Sequence, residues 1–273
     1  LDDARALRTA IRPDSRVVIV GAGFIGSELA CAARRMGAEV TLVEAAPVPF
    51  AAAVGTELAP AIAALHTRNG TDLRCGVTVT GIDGEDRVRA VRLGDGSTLP
   101  ADVVIVGVGA APATGWLDGS GLKLDNGVVC DETLATSAPG VYAAGDVCRW
   151  ANPLFGETMR LEHWTSAAEQ GALAARNAID PSAATPCALV PYFWSDLYDG
   201  RVQFVGVPHA DEVRVVAGGP AEDTLLALYR RGDRLIGALG VEQRRPVLRM
   251  RALIGKGVSW DDALAAAAEM TAS

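Results

Sequence analysis

Two features of the sequence could do chemistry together: the run Gly21-Ala22-Gly23-Phe24-Ile25-Gly26 and the acid Glu44. In a G-x-G-x-x-G turn the first glycine, Gly21, permits a tight bend. The second, Gly23, lets backbone approach a pyrophosphate, and the third, Gly26, lets a helix and a strand pack closely. The helix that follows offers unpaired N–H groups and the positive end of its dipole to the phosphates, with Phe24 and Ile25 in the binding turn. A carboxylate at Glu44 would accept both hydroxyls of an adenosine ribose and would repel a 2′-phosphate. Residues 45–67 hold no Lys or Arg to clamp such a phosphate. The pattern therefore points to NADH over NADPH.

The chemistry requires a strand before the turn, a helix after it, and a second strand ending at the acid. The apolar run Arg16–Val20 predicts the first strand, an Ala-rich helix runs to about Met36, and Glu39–Glu44 is the second strand. A further helix is predicted from Thr56 to about Asn69, ended by Gly70, and a short strand over Asp72–Cys75. Segments 77–82, 87–93 and 97–99 read as an antiparallel meander through Asp-Gly turns, and Val103–Val106 as a buried strand leading to Gly107.

A second candidate lies downstream. Val141 to Ala144 reads as a short apolar strand that ends in Gly145-Asp146. Gly145 would admit close backbone contact with a ligand, and Asp146 could accept from a polyol hydroxyl; a plain strand-to-turn exit reads equally well. A helix is predicted from Thr165 to about Ala178, opening with Ser166-Ala167-Ala168-Glu169 as a capping box. Its dipole could face negative charge, or it could be an ordinary capped helix. Residues 180–190 read as a linker or crossover. Three or four strands follow, then helices near 245–254 and 260–269, together a small α+β domain.

Length and composition bound these readings. The 273 residues predict two domains, with pieces of a third. A hydrophobic share of 49% with 21% charged residues excludes disordered and fibrous classes. The net charge of −8 argues against nucleic acid and anionic membranes as partners. The apolar stretch Val103 to Leu117 is interrupted by Pro112 and too short to span a bilayer. Cys31, Cys75, Cys130, Cys148 and Cys187 are scattered without a C-x-x-C, as expected of free thiols in a cytoplasmic protein. His66, His163 and His209 form no catalytic or metal-binding spacing.

Several segments together resemble a known family. They are Leu1-Asp2-Asp3-Ala4, Val18 to Glu28, Val141 to Cys148, Glu162-His163-Trp164-Thr165-Ser166-Ala167-Ala168-Glu169-Gln170-Gly171, and Pro191-Tyr192-Phe193-Trp194-Ser195-Asp196. The chain resembles the FAD-dependent NADH:ferredoxin reductases of the putidaredoxin reductase and biphenyl-dioxygenase reductase type. The resemblance implies an α/β fold: a Rossmann-like NADH-binding domain over 1–108, the second part of a split FAD-binding domain over 109–185, and a C-terminal α+β domain over 186–273. It implies that Asp146, beside Gly145, binds the FAD ribitol. It places Glu162, His163, Trp164 and Trp194 around the flavin, with both Trp residues beside the isoalloxazine. It sets Glu28 and Gly107 near the nicotinamide.

The implied activity is hydride transfer from NADH to FAD, then single-electron transfer to a two-iron ferredoxin feeding an oxygenase. The family's first glycine fingerprint, which cradles the FAD pyrophosphate, has no counterpart in these residues, nor does the lysine that pairs with Glu28. The chain as given is therefore expected to bind FAD poorly and to be inactive alone. A pyridine nucleotide-disulfide reductase or NADH oxidase, and a nucleotide-binding module without activity, are the competing readings. Arg244, Arg245, Arg249, Arg251 and Lys256 form either a docking patch for an acidic ferredoxin or a solvated helix face.

Overall fold

A computed structural model describes residues 1–271. The chain divides into two compact units. The first comprises Leu1–Gly109 together with Ser195–Val202 and Gly219–Asp223; the second holds the remaining described residues.

The first unit opens with α1 (Asp2–Ala10), β1 (Arg16–Val20), α2 (Phe24–Arg35) and β2 (Glu39–Glu44). Then come α3 (Ala51–Val54), α4 (Ala59–Arg68), β3 (Asp72–Cys75), a meander of β4 (Val79–Gly84), β5 (Val88–Leu93) and β6 (Thr98–Pro100), and finally β7 (Val103–Val106). Strands β3-β2-β1-β7 form one sheet, in that order, with all three pairings parallel. This is the order of a mononucleotide-binding half-fold, in which the first strand lies in the middle.

A central parallel strand is buried on both faces, which explains why β1 reads as an unbroken apolar run rather than an alternation. Val17 and Ile19 pack with Ala30 and Ala33 of α2. Val18 turns the other way, onto Val91, Leu93 and Leu99 of the meander. The small residues of α2 are what let helix and sheet approach. Arg34 and Arg35 end the helix where cations suit its dipole. The predicted helix over 56–69 begins only at Ala59, and Ala51–Val54 forms a separate short turn of helix. Gly55, at φ 84°, lies between them.

The second unit carries β8 (Val128–Cys130), β9 (Cys148–Asn152), β10 (Glu157–Arg160) and α5 (Trp164–Ile179). These precede β11 (Tyr192–Leu197), β12 (Gly200–Gly206), β13 (Glu212–Gly218), β14 (Leu225–Arg231), β15 (Arg234–Val241), α6 (Arg244–Gly255) and α7 (Trp260–Thr271). The last five strands form one sheet, ordered β11-β12-β15-β14-β13; its tip between β11 and β12 is the segment grouped with the first unit. One face packs Leu226, Leu228 and Ala238 on Val247, Met250 and Ala263 of the two helices. On the same sheet Phe193 stacks on Phe204, and Phe204 meets Tyr229 edge-on, with ring centroids 5.7 and 5.2 Å apart. The sheet has one strand more than the upper estimate from sequence, because β11 is half aromatic and its polar residues hide its alternation.

Two local expectations need correction, and the basic cluster gains detail. Residues 141–144 make an isolated bridge, Ala135 to Tyr142, rather than a strand; the regular strand begins beyond Asp146, at Cys148. Ser166 is the third residue of α5, not its cap. The cap position is His163, which makes no side-chain capping bond, so the capping box is absent. The basic cluster loses two of its charges: Arg249 donates to Glu269 at 2.9 Å and Arg251 to Glu169 at 2.7 Å. Among the described residues no helix is long and apolar enough to cross a membrane.

The first unit also buries a histidine. His66 is fully buried between Tyr198 and Ser27, and burial holds its pKa down at about 4. The unfolded chain takes up this proton near pH 6.5, the folded one only near pH 4, so stability should fall as the pH drops through that window. The loss should approach about 3 kcal/mol, at about 1.4 kcal/mol per pKa unit. Urea unfolding at pH 7.5 and 4.5 checks this: the pH-dependent loss should shrink in His66→Asn, and an equal loss in both proteins would contradict it.

Candidate functional site

The glycine turn sits at the carboxyl end of β1, where a crevice is expected in a sheet of this type. Gly21 has φ 99°, a conformation that suits glycine, and its N–H donates to the Val43 carbonyl of β2 at 2.8 Å. A Cβ on Gly21 would drive into the carbonyl of Gly107, and one on Gly26 into the carbonyl of Gly21. Backbone therefore lies directly against backbone at both positions. Gly23 differs: a Cβ there would meet nothing within 4 Å, so the space beside it is open.

That space belongs to a cavity of about 520 Å³ lined by Gly21, Gly23, Glu44, Thr78, Gly107 and their neighbours. The Glu44 carboxylate is held at its mouth by two backbone amides. Oε2 accepts from the Ala22 N–H and Oε1 from the Ala46 N–H, both at 2.8 Å. Each oxygen keeps a lone pair for a further donor. A helix start without side-chain capping, an open glycine and a pre-oriented carboxylate in one cavity fit a dinucleotide: pyrophosphate at the turn, ribose diol at the acid.

Other predicted residues lie nearby. Gly107 lines the same cavity, and its N–H donates to the Val20 carbonyl at 2.8 Å. Ile25 is exposed, whereas the Phe24 ring packs on Phe50, centroids 5.5 Å apart. Glu28 lies one turn further along α2. Its Oε1 accepts from the Ser195 hydroxyl at 2.8 Å and from the Asp196 N–H at 3.3 Å.

The second candidate site gathers around the start of α5. Gly145, at φ 76°, donates its N–H to Gln170 Oε1 at 2.8 Å, which ties the Gly145–Asp146 turn to the helix. Asp146 is exposed, and its carbonyl accepts from Arg160 at 3.0 Å; Arg160 also pairs with Glu162 at 2.8 Å. His163 packs its ring on Phe193 at 5.1 Å, and burial holds its pKa at about 4 against the opposing pull of Asp146 and Glu162. Three buried polar atoms in this region have no protein partner: His163 Nδ1, Ser166 Oγ and Arg160 Nε. Such orphans ordinarily find one. Trp164 is 83% exposed on the first turn, while Trp194 packs on Tyr192 at 5.6 Å and is 38% exposed. Orphaned donors beside an acid and exposed indoles fit a polar, planar group such as FAD.

Sequence reasoning gave no polar role to Ser27, His66 or Arg160. One signal was present for His66: it continues the buried stripe Ala59, Ile62, Ala63 at helical spacing, where a polar residue needs a partner.

The fold and these sites together define a class. A family model described as pyridine nucleotide-disulphide oxidoreductase matches residues 1–171, and one described as reductase C-terminal matches residues 192–271. The chain belongs to the pyridine nucleotide-disulphide oxidoreductase family, in its ferredoxin reductase branch.

Particular relatives sharpen that. The 5,5'-dehydrodivanillate O-demethylase ferredoxin reductase subunit of Sphingobium sp. is 37% identical over 262 residues, 95% of this chain and 63% of the relative. Putidaredoxin reductase of Pseudomonas putida is 34% identical, covering 90% of this chain and 58% of the relative. Among solved structures, the covalent putidaredoxin reductase–putidaredoxin complex matches with a TM-score of 0.91 at 28% identity, over 100% of this chain and 68% of that one. The ferredoxin reductase for the CYP199A2 system of Rhodopseudomonas palustris gives 0.88 at 36% identity, over 96% and 65%. The chain spans about three fifths of the length of the curated relatives it matches.

The glycine geometry makes a prediction. Gly26→Ala should destabilise the protein by about 2–3 kcal/mol, the order expected when a methyl is forced into packed atoms. Gly23→Ala, which points into open space, should cost under about 0.5 kcal/mol. Thermal unfolding of the two variants side by side checks the contrast, and equal losses would refute it.

Proposed function

We propose that this chain acts in electron transfer from NADH through FAD to a two-iron ferredoxin that feeds an oxygenase. The observation that carries the reading is the cavity that brings Gly23, Glu44 and Gly107 together at the carboxyl ends of adjacent parallel strands. The ferredoxin reductase names of the relatives support the electron acceptor. We assign residues 1–108 to NADH, 109–185 to the second part of an FAD domain, and the rest to the C-terminal domain.

In this reading the amides at the start of α2 hold the pyrophosphate, and Gly23 allows its close approach. Glu44 accepts the adenosine ribose hydroxyls and excludes a 2′-phosphate by like charge. Gly107, without a side chain, leaves room for the nicotinamide end. Glu28 is a carboxylate held in place by Ser195 and the Asp196 amide, ready to take part beside that ring. Asp146 accepts from the ribitol, and the orphaned groups of Arg160, His163 and Ser166 supply polar contacts. Trp164 and Trp194 shield the flavin edge from water. FAD, when bound, supplies hydride acceptance and one-electron release; the protein contributes position and electrostatics.

Titrating the chain with each coenzyme, followed by nicotinamide fluorescence, tests the core of this reading. NADH should bind at least about tenfold more tightly than NADPH, a difference of about 1.4 kcal/mol. Glu44→Ala should weaken NADH by a similar factor and narrow the gap between the two. Equal affinity for both coenzymes in the unaltered chain would overturn it.

A further inference from the structure

Behind the glycine turn, four buried hydroxyl and imidazole groups run in line. Thr71 Oγ1 lies 2.9 Å from the Tyr198 hydroxyl, which lies 2.8 Å from His66 Nδ1. His66 Nε2 lies 3.0 Å from Ser27 Oγ, and Ser27 Oγ donates to the Ala22 carbonyl at 3.5 Å. Ser27 and His66 are fully buried, Thr71 and Tyr198 nearly so. Ala22 lies inside the G-x-G-x-x-G turn, and its N–H donates to Glu44. The line thus ends on the carbonyl of the residue whose N–H, in the adjoining peptide, orients the carboxylate of the dinucleotide cavity.

The hydrogens can be counted. If Thr71 donates to Tyr198, Tyr198 donates to Nδ1, Nε2–H donates to Ser27 and Ser27 donates to Ala22, every hydrogen has an acceptor. The reverse order turns the Tyr198 hydrogen toward the Cys31 thiol, which faces the same hydroxyl. It also takes the Ser27 hydrogen away from Ala22. Only a neutral ring fits the forward order, because a protonated ring would aim two N–H groups where one acceptor is needed. Burial favours that neutral form. Phe50 reinforces the arrangement: its ring stacks on His66 at 6.4 Å and touches Phe24 of the turn.

We infer that His66 is a positioning residue for the glycine-rich turn. Through Ser27 its Nε2–H aims a hydroxyl at the Ala22 carbonyl, and Tyr198 with Thr71 fixes which ring nitrogen carries the proton. The inference deepens the dinucleotide reading and rests on it for its effect on affinity.

Three measurements on the full chain test it. ¹⁵N NMR of labelled histidine should show His66 as the Nε2–H tautomer. Amide hydrogen exchange at residues 22–24 should quicken in Ser27→Ala. The Kd for NADH should rise about tenfold in Ser27→Ala and His66→Leu, yet stay within about threefold in His66→Gln, whose amide can still donate to Ser27. An Nδ1–H tautomer would overturn the inference. So would a Ser27→Ala protein with unchanged exchange and Kd, or His66→Leu and His66→Gln losing affinity equally. If the unaltered chain binds neither NADH nor NADPH, the dinucleotide reading falls, while tautomer and turn exchange still decide the inference.

Discussion

Backbone packed against backbone at Gly21, Gly26 and Gly107 is the constraint on which the first unit depends. The turn leaving β1 is pressed between the start of α2 and the exit from β7, with no room for a Cβ at Gly21 or Gly26. That closeness has two results. It brings the first amides of α2 to the end of the sheet, and it keeps Gly107 beside them. Glu44 then reaches back from the neighbouring strand to the Ala22 amide, which ties the acid to the glycine turn. A site of this kind gains more from geometry set in advance than from additional contacts, because little ordering is left to do when a ligand arrives.

The second unit works on a different principle. Around the start of α5 the structure leaves polar atoms of Arg160, His163 and Ser166 without protein partners, while Trp164 stands in solvent. In a stable core such groups would be satisfied or replaced by apolar ones. These atoms cluster around the Gly145–Asp146 turn and the start of α5. The C-terminal sheet shows the opposite economy: one face is closed by α6 and α7, and the surface arginines 249 and 251 are neutralised by carboxylates. Partial neutralisation weakens a long-range steering field from that helix, since exposed paired charges act mostly at short range.

Much of this was legible in the residues. The strands at 16–20, 39–44, 72–75 and 103–106 have the limits expected of them, and all but the half-charged 72–75 are built on a short apolar run bounded by glycine, proline or charge. The glycine turn and its acid were legible for the same reason: their spacing is local, and their chemistry follows from residue type. The segment 141–144 misled because an apolar run of four carries no information about a partner strand. Ser166 misled because a capping-box pattern cannot reveal that the helix already begins two residues earlier, at Trp164.

What the sequence alone determined was the nucleotide half-fold and the identity of the groups that face its crevice, since periodicity and motif spacing are properties of neighbours along the chain. Only the tertiary structure decided that Tyr198, far along the chain, would complete a hydrogen-bond line through His66 to Ser27 behind that crevice. The same holds for the salt bridges that remove Arg249 and Arg251 from the free basic patch. Burial and pairing are set by which distant segments meet. A lone histidine or arginine carries no mark of its partner until the fold brings the two within about 3 Å of each other.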